Sequence, residues 1–317
     1  CVLGAALSAP AGTAAQASGA VDDARHFQPM DVFGLEWASD PRISPDGSQV
    51  VYVRNFFDVM TDAPRTNLWL VSADGARHRP LTSGTRANAS PRWSPSGDRL
   101  LWVSSQDGSA QMWVRWMDTG QEARITNLTE SPGSLTWSPD GRWIAFTMFV
   151  EDAPDPALAV GMPSPPEGAE WAAPAVVIDE IQYKNDGRTG FAREGNTHVF
   201  VVPAEGGTPR QLTFGPHDHA QPAWTPGGES LIVSANRRDD ADLEPADSDL
   251  YEVALSDGTL TRLTERYGPD GSPAVSPDGS LIAYTGYDDR LQGYQVTRLY
   301  LVDRDGSGER EVVTGLD

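Results

Sequence analysis

A turn signal, Ser-Pro-Asp-Gly or a near copy, recurs five times along the chain and constrains its fold more than any other feature. Proline presets the backbone of the first central turn position, aspartate can hydrogen-bond its own backbone, and glycine accepts a positive φ angle. Such a repeat indicates a stack of similar supersecondary units. The copies are Ser44–Gly47, Ser94–Gly97, Ser138–Gly141, Thr225–Gly228 and Ser276–Gly279.

Each turn is followed by two segments of strong β propensity and then, after a Gly-containing turn, by a Leu-Thr pair or a close variant that marks a fourth strand. This order predicts one four-stranded antiparallel sheet per unit. Successive turns are 50, 44, 87 and 51 residues apart, and propeller blades take roughly 40 to 50 residues. The sequence therefore predicts an all-β protein, a β-propeller of about five four-stranded blades over residues 30–317. The long interval predicts an insert at about residues 151–196, between the second and third strands of one blade.

The charge of the chain excludes some classes of partner. Asp and Glu number 45 against 24 Lys and Arg, so the formal net charge is −21, and such a field repels nucleic acids and anionic membrane surfaces. We expect a solvated acidic surface; a field that steers cationic substrates is the alternative. The only cysteine is Cys1, which excludes an intrachain disulfide and a cysteine metal site.

The first residues resemble the last part of a secretory signal peptide. The apolar segment 2–9 precedes Ala15-Gln16-Ala17, an A-x-A cleavage pattern. We therefore expect a partial signal peptide over residues 1–17, a linker over 18–29, and a periplasmic or secreted product with no membrane contact after signal removal. A lipoprotein anchored at Cys1 is the rival interpretation.

Two stretches carry a family resemblance: Tyr183-Lys184-Asn185-Asp186-Gly187, and the segment 199–202 that leads to Arg210-Gln211-Leu212-Thr213. With the repeat and the exported start, they make the chain similar to the N-terminal propeller of the prolyl oligopeptidase family of serine peptidases, in its acylaminoacyl-peptidase and dipeptidyl-peptidase branches. The resemblance implies a propeller that caps a C-terminal α/β-hydrolase domain. It also implies more than five blades, so we expect an incomplete ring.

The chain lacks the G-x-S-x-G pattern in which an α/β-hydrolase holds its nucleophile. We therefore expect no catalytic residue here, and a chain that is inactive alone. It would be the part of an exported serine peptidase that gates and orients peptide substrates for the hydrolase domain. One alternative is a stand-alone periplasmic propeller that binds proteins, like TolB. Another is a propeller that is itself an enzyme and uses a metal in its channel.

A mixed-charge cluster in the insert is the candidate substrate-binding site, since loops on rigid scaffolds often carry binding roles. Its members are Glu180, Tyr183, Lys184, Asp186 and Arg188. The rival interpretation is a solvated or inter-domain surface.

Two other patterns are compatible with metal sites but are better explained otherwise. His217 and His219 could begin a zinc or copper site, but a polar connector is expected where they lie. Asp303, Asp305 and Gly306 resemble part of a calcium loop, but the closing Glu is missing, so a hairpin turn is expected. The sequence predicts neither a metal nor a cofactor.

Overall fold

The computed structural model confirms an all-β fold built from five antiparallel, four-stranded sheets. In the described part of the chain, one 3₁₀ helix, Pro29–Gly34, precedes the strands. The predicted signal peptide and residues 18–26 of the predicted linker lie outside the described residues. The structure describes residues 27–152, 163–172, 177–178, 181–184, 186–187, 189–313 and 315.

The five sheets follow one another along the chain as blades 1 to 5, and the strands of each lie side by side in chain order. Blade 1 comprises β1 (Glu36–Ile43), β2 (Gln49–Asp58), β3 (Ala63–Ser72) and β4 (His78–Pro80). Blade 2 comprises β5 (Asn88–Trp93), β6 (Arg99–Ser104), β7 (Gln111–Trp116) and β8 (Glu122–Arg124). Blade 3 comprises β9 (Gly133–Trp137), β10 (Trp143–Glu151), β11 (Gly195–Pro203) and β12 (Arg210–Gln211). Blade 4 comprises β13 (His219–Trp224), β14 (Ser230–Ala235), β15 (Asp249–Ala254) and β16 (Leu260–Arg262). Blade 5 comprises β17 (Asp270–Val275), β18 (Leu281–Gly286), β19 (Arg298–Asp303) and β20 (Arg310–Val312).

The Ser-Pro-Asp-Gly turns join the first and second strands of every blade. In blade 1 the Ser44 hydroxyl accepts the backbone N–H of Gln49 at 3.0 Å and donates to Asp46 at 2.6 Å. Gly47 has a φ of 73°, which a side chain would strain. The turn is thus held by its own side chains, which explains why these residue types recur.

In blades 1 to 4 the Leu-Thr pairs directly follow the fourth strands rather than lying within them. The threonine hydroxyl accepts a backbone N–H of the third strand, as Thr126 does from Met112 at 2.9 Å. Thr82, Thr213 and Thr264 accept from Leu68, Val199 and Leu250 at the same distance. These residues therefore tie the outer edges of blades 1 to 4 to their third strands.

The hydrophobic core lies between the blades. Four clusters of buried apolar side chains fill the interfaces between blades 1 and 2, 2 and 3, 3 and 4, and 4 and 5. The first strands of neighbouring blades contact one another, which places them innermost. Within the described residues no strand of blade 1 contacts a strand of blade 5, so the five sheets do not close on themselves.

The tryptophans that precede three of the turns bind the inner strands together. Trp93, Trp137 and Trp224 each donate the indole N–H to a backbone carbonyl of the preceding blade. The acceptors are Arg42, Arg92 and Thr136, at 3.0, 3.1 and 3.3 Å.

Candidate functional site

The segment between β10 and β11, which contains the predicted insert, leaves the blades at the end opposite the Ser-Pro-Asp-Gly turns. Because the strands of a meander alternate in direction, this end also carries the other second-to-third-strand loops and the links between blades. We call it the insert end. No helix in the described residues is long and apolar enough to cross a membrane.

Three of the predicted site residues lie on the described part of the insert. The Tyr183 carbonyl accepts the Ala192 N–H at 2.8 Å, and the Tyr183 and Phe191 ring centroids are 6.4 Å apart. The Lys184 ammonium lies 5.2 Å from the Phe191 ring centroid, within reach of a cation–π contact. The structure thus brings Tyr183 and Lys184 together around an aromatic residue that the sequence analysis did not single out.

The other predicted residues join this cluster in part or not at all. Asp186 is exposed in the turn between Tyr183 and Phe191, and Glu180 and Arg188 lie outside the described residues. An Asp-Gly turn brings its flanking segments together, so the Asp186-Gly187 dipeptide was the sequence signal that could have identified Phe191.

Two contacts anchor the insert to the blades. The Ile181 N–H donates to Asp242 at 3.1 Å, in the β14–β15 loop of blade 4. At the base of the insert, Arg193 pairs with Glu130 at 2.8 Å and lies 4.5 Å from the Phe149 ring centroid. The exposed Tyr183 and Phe191 rings are therefore held close to blades 3 and 4 at the insert end.

Of the two histidines considered for a metal site, His217 is half-buried and His219 is fully buried. His219 begins β13 and is fully buried, with its ring 5.5 Å from that of His198. Burial, reinforced by the nearby Arg237, lowers the pKa of His219 to about 3. The Arg237 guanidinium lies 2.9 Å from its Nε2; since arginine only donates, that nitrogen is the acceptor.

This arrangement is unfavourable for a metal ion, because Arg237 occupies a lone pair that a ligand would need and brings a positive charge. No group of three or more His, Cys, Asp or Glu side chains in the described part of the chain could hold a metal ion. His198 comes from a distant strand, and nothing in the sequence signalled its contact with His219. The Asp303–Gly306 segment forms a turn closed by the Gly306 N–H on the Asp303 carbonyl at 2.9 Å.

An ionic cluster lies at the same end, where the link from blade 4 enters blade 5. Arg266 pairs with the fully buried Asp270 and, at 3.0 Å, with Asp288. Its guanidinium lies 4.1 Å from the Tyr300 ring centroid. Burial raises the pKa of Asp270 to about 6. These groups pair with one another, so we interpret the cluster as an anchor that fixes the link between blades 4 and 5 to blade 5.

Beside that cluster, the β18–β19 loop borders a cleft of about 300 Å³. Tyr287, Tyr294 and Tyr300 contribute to its lining, together with Asp288 and Glu311. The insert end therefore presents exposed aromatic rings, a lysine and carboxylates around rigid strands. Such a surface can bind an extended chain through stacking and charge pairing.

Comparison with known proteins agrees with this architecture. The family described as "PD40: TolB beta propeller domain" matches residues 34–154. The uncharacterized peptidase YuxL of Bacillus subtilis is 27% identical over 207 residues, which cover 65% of this chain and 30% of the relative. Dipeptidyl-peptidase 5 of Porphyromonas endodontalis is 28% identical over 282 residues, or 82% of this chain and 38% of the relative.

A solved structure, the acylaminoacyl peptidase of Pyrococcus horikoshii, covers 90% of this chain with a TM-score of 0.63 at 18% identity. The match takes up 41% of that protein. The chain thus spans about a third of the length of the two curated relatives. The predicted resemblance to the propellers of these peptidases is confirmed.

Proposed function

We propose that this β-propeller, a relative of those in dipeptidyl and acylaminoacyl peptidases, is the non-catalytic propeller of an exported serine peptidase. In that protein it would gate and orient peptide substrates for an α/β-hydrolase domain. The observation that carries the proposal is the match to dipeptidyl-peptidase 5, which covers 82% of this chain but 38% of the relative. The chain itself holds no G-x-S-x-G.

The fold supports a positioning role. Blades packed through apolar interfaces form a rigid frame, and loops on a rigid frame are suited to binding. The insert projects from that frame with Tyr183, Lys184 and Phe191 clustered on it. We propose that this cluster contacts the peptide as it approaches the hydrolase domain.

Sequencing the gene downstream of the codon for Asp317 tests the first proposal. We expect a hydrolase domain with the nucleophile in G-x-S-x-G. A stop codon at that position would contradict the peptidase assignment. It would favour the second candidate, a periplasmic propeller that binds proteins, which the match to the TolB propeller family over residues 34–154 also supports.

Kinetics of the full-length protein test the role of the insert. Tyr183→Ala and Lys184→Ala should each raise KM for peptide substrates several-fold with little change in kcat, because they remove binding contacts far from the bond that is cleaved. Arg77→Ala is the matched control, since Arg77 is exposed in a turn at the opposite end of blade 1. If the cluster is only a solvated surface, all three variants will show wild-type KM.

The exported location remains a proposal that rests on residues 1–17. N-terminal sequencing of the mature protein should find a start after Ala17, as the A-x-A pattern predicts. A lipid-modified Cys1 would instead establish the lipoprotein alternative.

A further inference from the structure

The β18–β19 loop of blade 5, residues 287–297, is held in shape by its own side chains. The Asp289 carboxylate accepts the Leu291 N–H at 2.7 Å and also the side-chain amide of Gln295. The Gln295 Oε1 in turn accepts the Arg290 N–H at 3.1 Å. Leu291 has a φ of 54°, and such a backbone conformation persists in a non-glycine residue only where its surroundings fix it, which is common at binding sites.

This loop and two strands of blade 5 line the cleft of about 300 Å³ described above. The strand residues are Arg298 and Tyr300 on β19 and Glu311 on β20. They share one face of the sheet, because Arg298 and Tyr300 are two residues apart and Glu311 lies opposite Tyr300. Tyr300 belongs to the apolar cluster between blades 4 and 5. The cleft therefore lies on the side of blade 5 that faces blade 4.

The carboxylates of the cleft already have arginine partners. Asp288 pairs with Arg266 at 3.0 Å, and Glu311 pairs with Arg298 at 2.8 Å. Arg290 also lines the cleft, and its guanidinium forms no ion pair within the described part of the chain. The charge left over in the cleft is therefore positive, in a chain whose formal net charge is −21.

Three tyrosines supply the aromatic part of the lining: Tyr287, Tyr294 and Tyr300. The Tyr300 ring is fixed between the Arg266 guanidinium, 4.1 Å from its centroid, and the Tyr284 ring at 5.4 Å. The Tyr294 side chain is 86% exposed, so a ligand can contact it without displacing other groups. Tyrosine rings beside a guanidinium suit a ligand that has both an apolar ring and an anionic group.

Hydrogen bonds connect the cleft to the insert along the insert end. The Ile181 N–H donates to Asp242 in the β14–β15 loop, and the Tyr267 hydroxyl donates to Glu244 in the same loop at 2.8 Å. The Tyr267 carbonyl accepts the Asp289 N–H at 3.0 Å. The insert, the β14–β15 loop, the link between blades 4 and 5 and the β18–β19 loop therefore form one continuous rim. This rim gives an extended peptide on the insert a surface that leads to the cleft.

We propose that this cleft is a second peptide-binding site, which takes an aromatic side chain together with a nearby carboxylate of the bound peptide. The aromatic ring packs against Tyr287 and Tyr294, and the carboxylate pairs with the Arg290 guanidinium. The inference rests on the proposed function in one respect only, the choice of a peptide as the ligand. A volume of about 300 Å³ is at the lower end for ligand pockets, so the cleft holds one or two side chains rather than a whole peptide.

The first test is the binding of phenylpropionate to the full-length protein, followed by NMR titration at low ionic strength. This probe has a phenyl ring and a carboxylate but no peptide bond, so peptidase activity cannot consume it. A ligand of this size should bind with a Kd on the order of several millimolar. Phenylpropanol and phenylpropylamine, its neutral and cationic analogues, should bind at least about 5-fold more weakly, because the guanidinium favours an anion.

Two variants separate the contributions of charge and ring. Arg290→Gln should weaken phenylpropionate binding about 5-fold or more and abolish the preference over phenylpropanol. Tyr294→Ala should weaken the binding of all three probes, because it removes a ring of the lining. Circular dichroism verifies that each variant is folded.

Each variant has a matched control that should bind phenylpropionate as the wild type does. Arg86→Gln makes the same change of net charge as Arg290→Gln, at an exposed arginine in the link between blades 1 and 2. Leu291→Ala is the control for Tyr294→Ala, because Leu291 is 78% exposed on the same loop and does not line the cleft.

Three results would overturn the binding site. They are a wild type that shows no saturable binding, tighter binding of phenylpropylamine than of phenylpropionate, and a loss in Arg290→Gln no greater than that in Arg86→Gln. This titration does not depend on catalysis, so its failure leaves the proposed gating role and the insert cluster untouched. A stop codon after Asp317 would refute the peptidase assignment without changing the titration.

Kinetics of the full-length protein test whether the ligand is a peptide substrate. Arg290→Gln should raise KM several-fold for a peptide that contains Phe-Glu and leave KM nearly unchanged for the same peptide with Phe-Gln, because only the first has a carboxylate to lose its partner. Equal changes of KM for the two peptides would contradict a peptide substrate as the ligand of the cleft.

Discussion

At the scale of single residues, the repeated hydroxyls have a clear structural role. The turn serines, and the threonines past the fourth strands of blades 1 to 4, each accept a backbone N–H, as Ser44 and Thr213 do. A buried donor without an acceptor is costly, and one hydroxyl in the right place removes that cost. The repeated Ser and Thr therefore stabilise the blades, and their recurrence needs no functional explanation.

Thr213→Val should lower the free energy of unfolding by about 1–3 kcal/mol, because the buried Val199 N–H loses its acceptor while the side-chain volume is kept. Urea unfolding followed by fluorescence measures the change. Thr213→Ser keeps the hydroxyl and is the control, expected to retain most of the stability. Equal losses in both variants would show that the methyl group matters and the hydrogen bond does not.

Asp249 and Asp278 should make opposite contributions to the pH dependence of the free energy of unfolding. Burial raises the pKa of Asp249 to about 6, despite the nearby Arg262 and Arg238, so the folded state takes up this proton before the unfolded state does. The contribution of Asp249 to stability therefore rises as the pH falls from about 7 to about 4. The free energy of unfolding of the wild type minus that of Asp249→Asn should increase over that range.

Asp278 provides the opposite case. Hydrogen bonds from Ser276 and Ser280 hold the pKa of Asp278 at about 2, so its contribution is present above about pH 4 and is lost as the pH falls toward 2. The free energy of unfolding of the wild type minus that of Asp278→Asn should decrease as the pH falls. Curves of the same sign for both variants would contradict the roles assigned to burial and to hydrogen bonding.

At the scale of strands and blades, the sequence predicted the four-stranded unit and the place of the insert. It did not predict the irregularity of the inner strands. Each first strand contains a β-bulge whose residue has a positive φ angle. These residues are Asp40, Ser90, Ser134, Gln221 and Ser272. Proline follows four of them, but a bulge depends on pairing with the next strand, which periodicity alone does not report.

The tryptophans before the turns act between blades. Trp137→Phe should lower the free energy of unfolding by about 1–2 kcal/mol, because it removes the indole N–H bonded to the Arg92 carbonyl and part of the ring under Arg99. Urea unfolding measures the loss. Trp171→Phe is the control, because Trp171 is 47% exposed in the insert, and it should change stability by less than about 0.5 kcal/mol. Equal losses of unfolding free energy in Trp137→Phe and Trp171→Phe would contradict an inter-blade role for this hydrogen bond.

At the scale of the whole molecule, the net charge affects the stability of the folded state. The formal net charge of −21 makes the compact state repel itself. The ion pairs seen in the structure are mostly partly exposed, and such pairs contribute little, about 0–1 kcal/mol each. We expect net repulsion to outweigh them.

Added salt should therefore raise the melting temperature. Raising NaCl from about 10 mM to about 150 mM shortens the Debye length from about 30 Å to about 8 Å, which screens the repulsion. Differential scanning calorimetry of a dilute sample measures the change, and KCl is the control for a specific effect of sodium. A melting temperature that falls with salt would mean that the ion pairs dominate.

The sequence by itself determined the four-stranded blade, the number of blades in this chain and the acidic net charge. Each of these follows from local chemistry: Pro and Gly set turn angles, β-branched and aromatic runs form strands, and net charge is a sum over residues. Only the tertiary structure decided which residues meet across blades. The pairing of His198 with His219 and the contact of Arg266 with Tyr300 both join residues from different strands or loops. Such contacts depend on how blades stack and on what each face is left to cover, which no local pattern encodes.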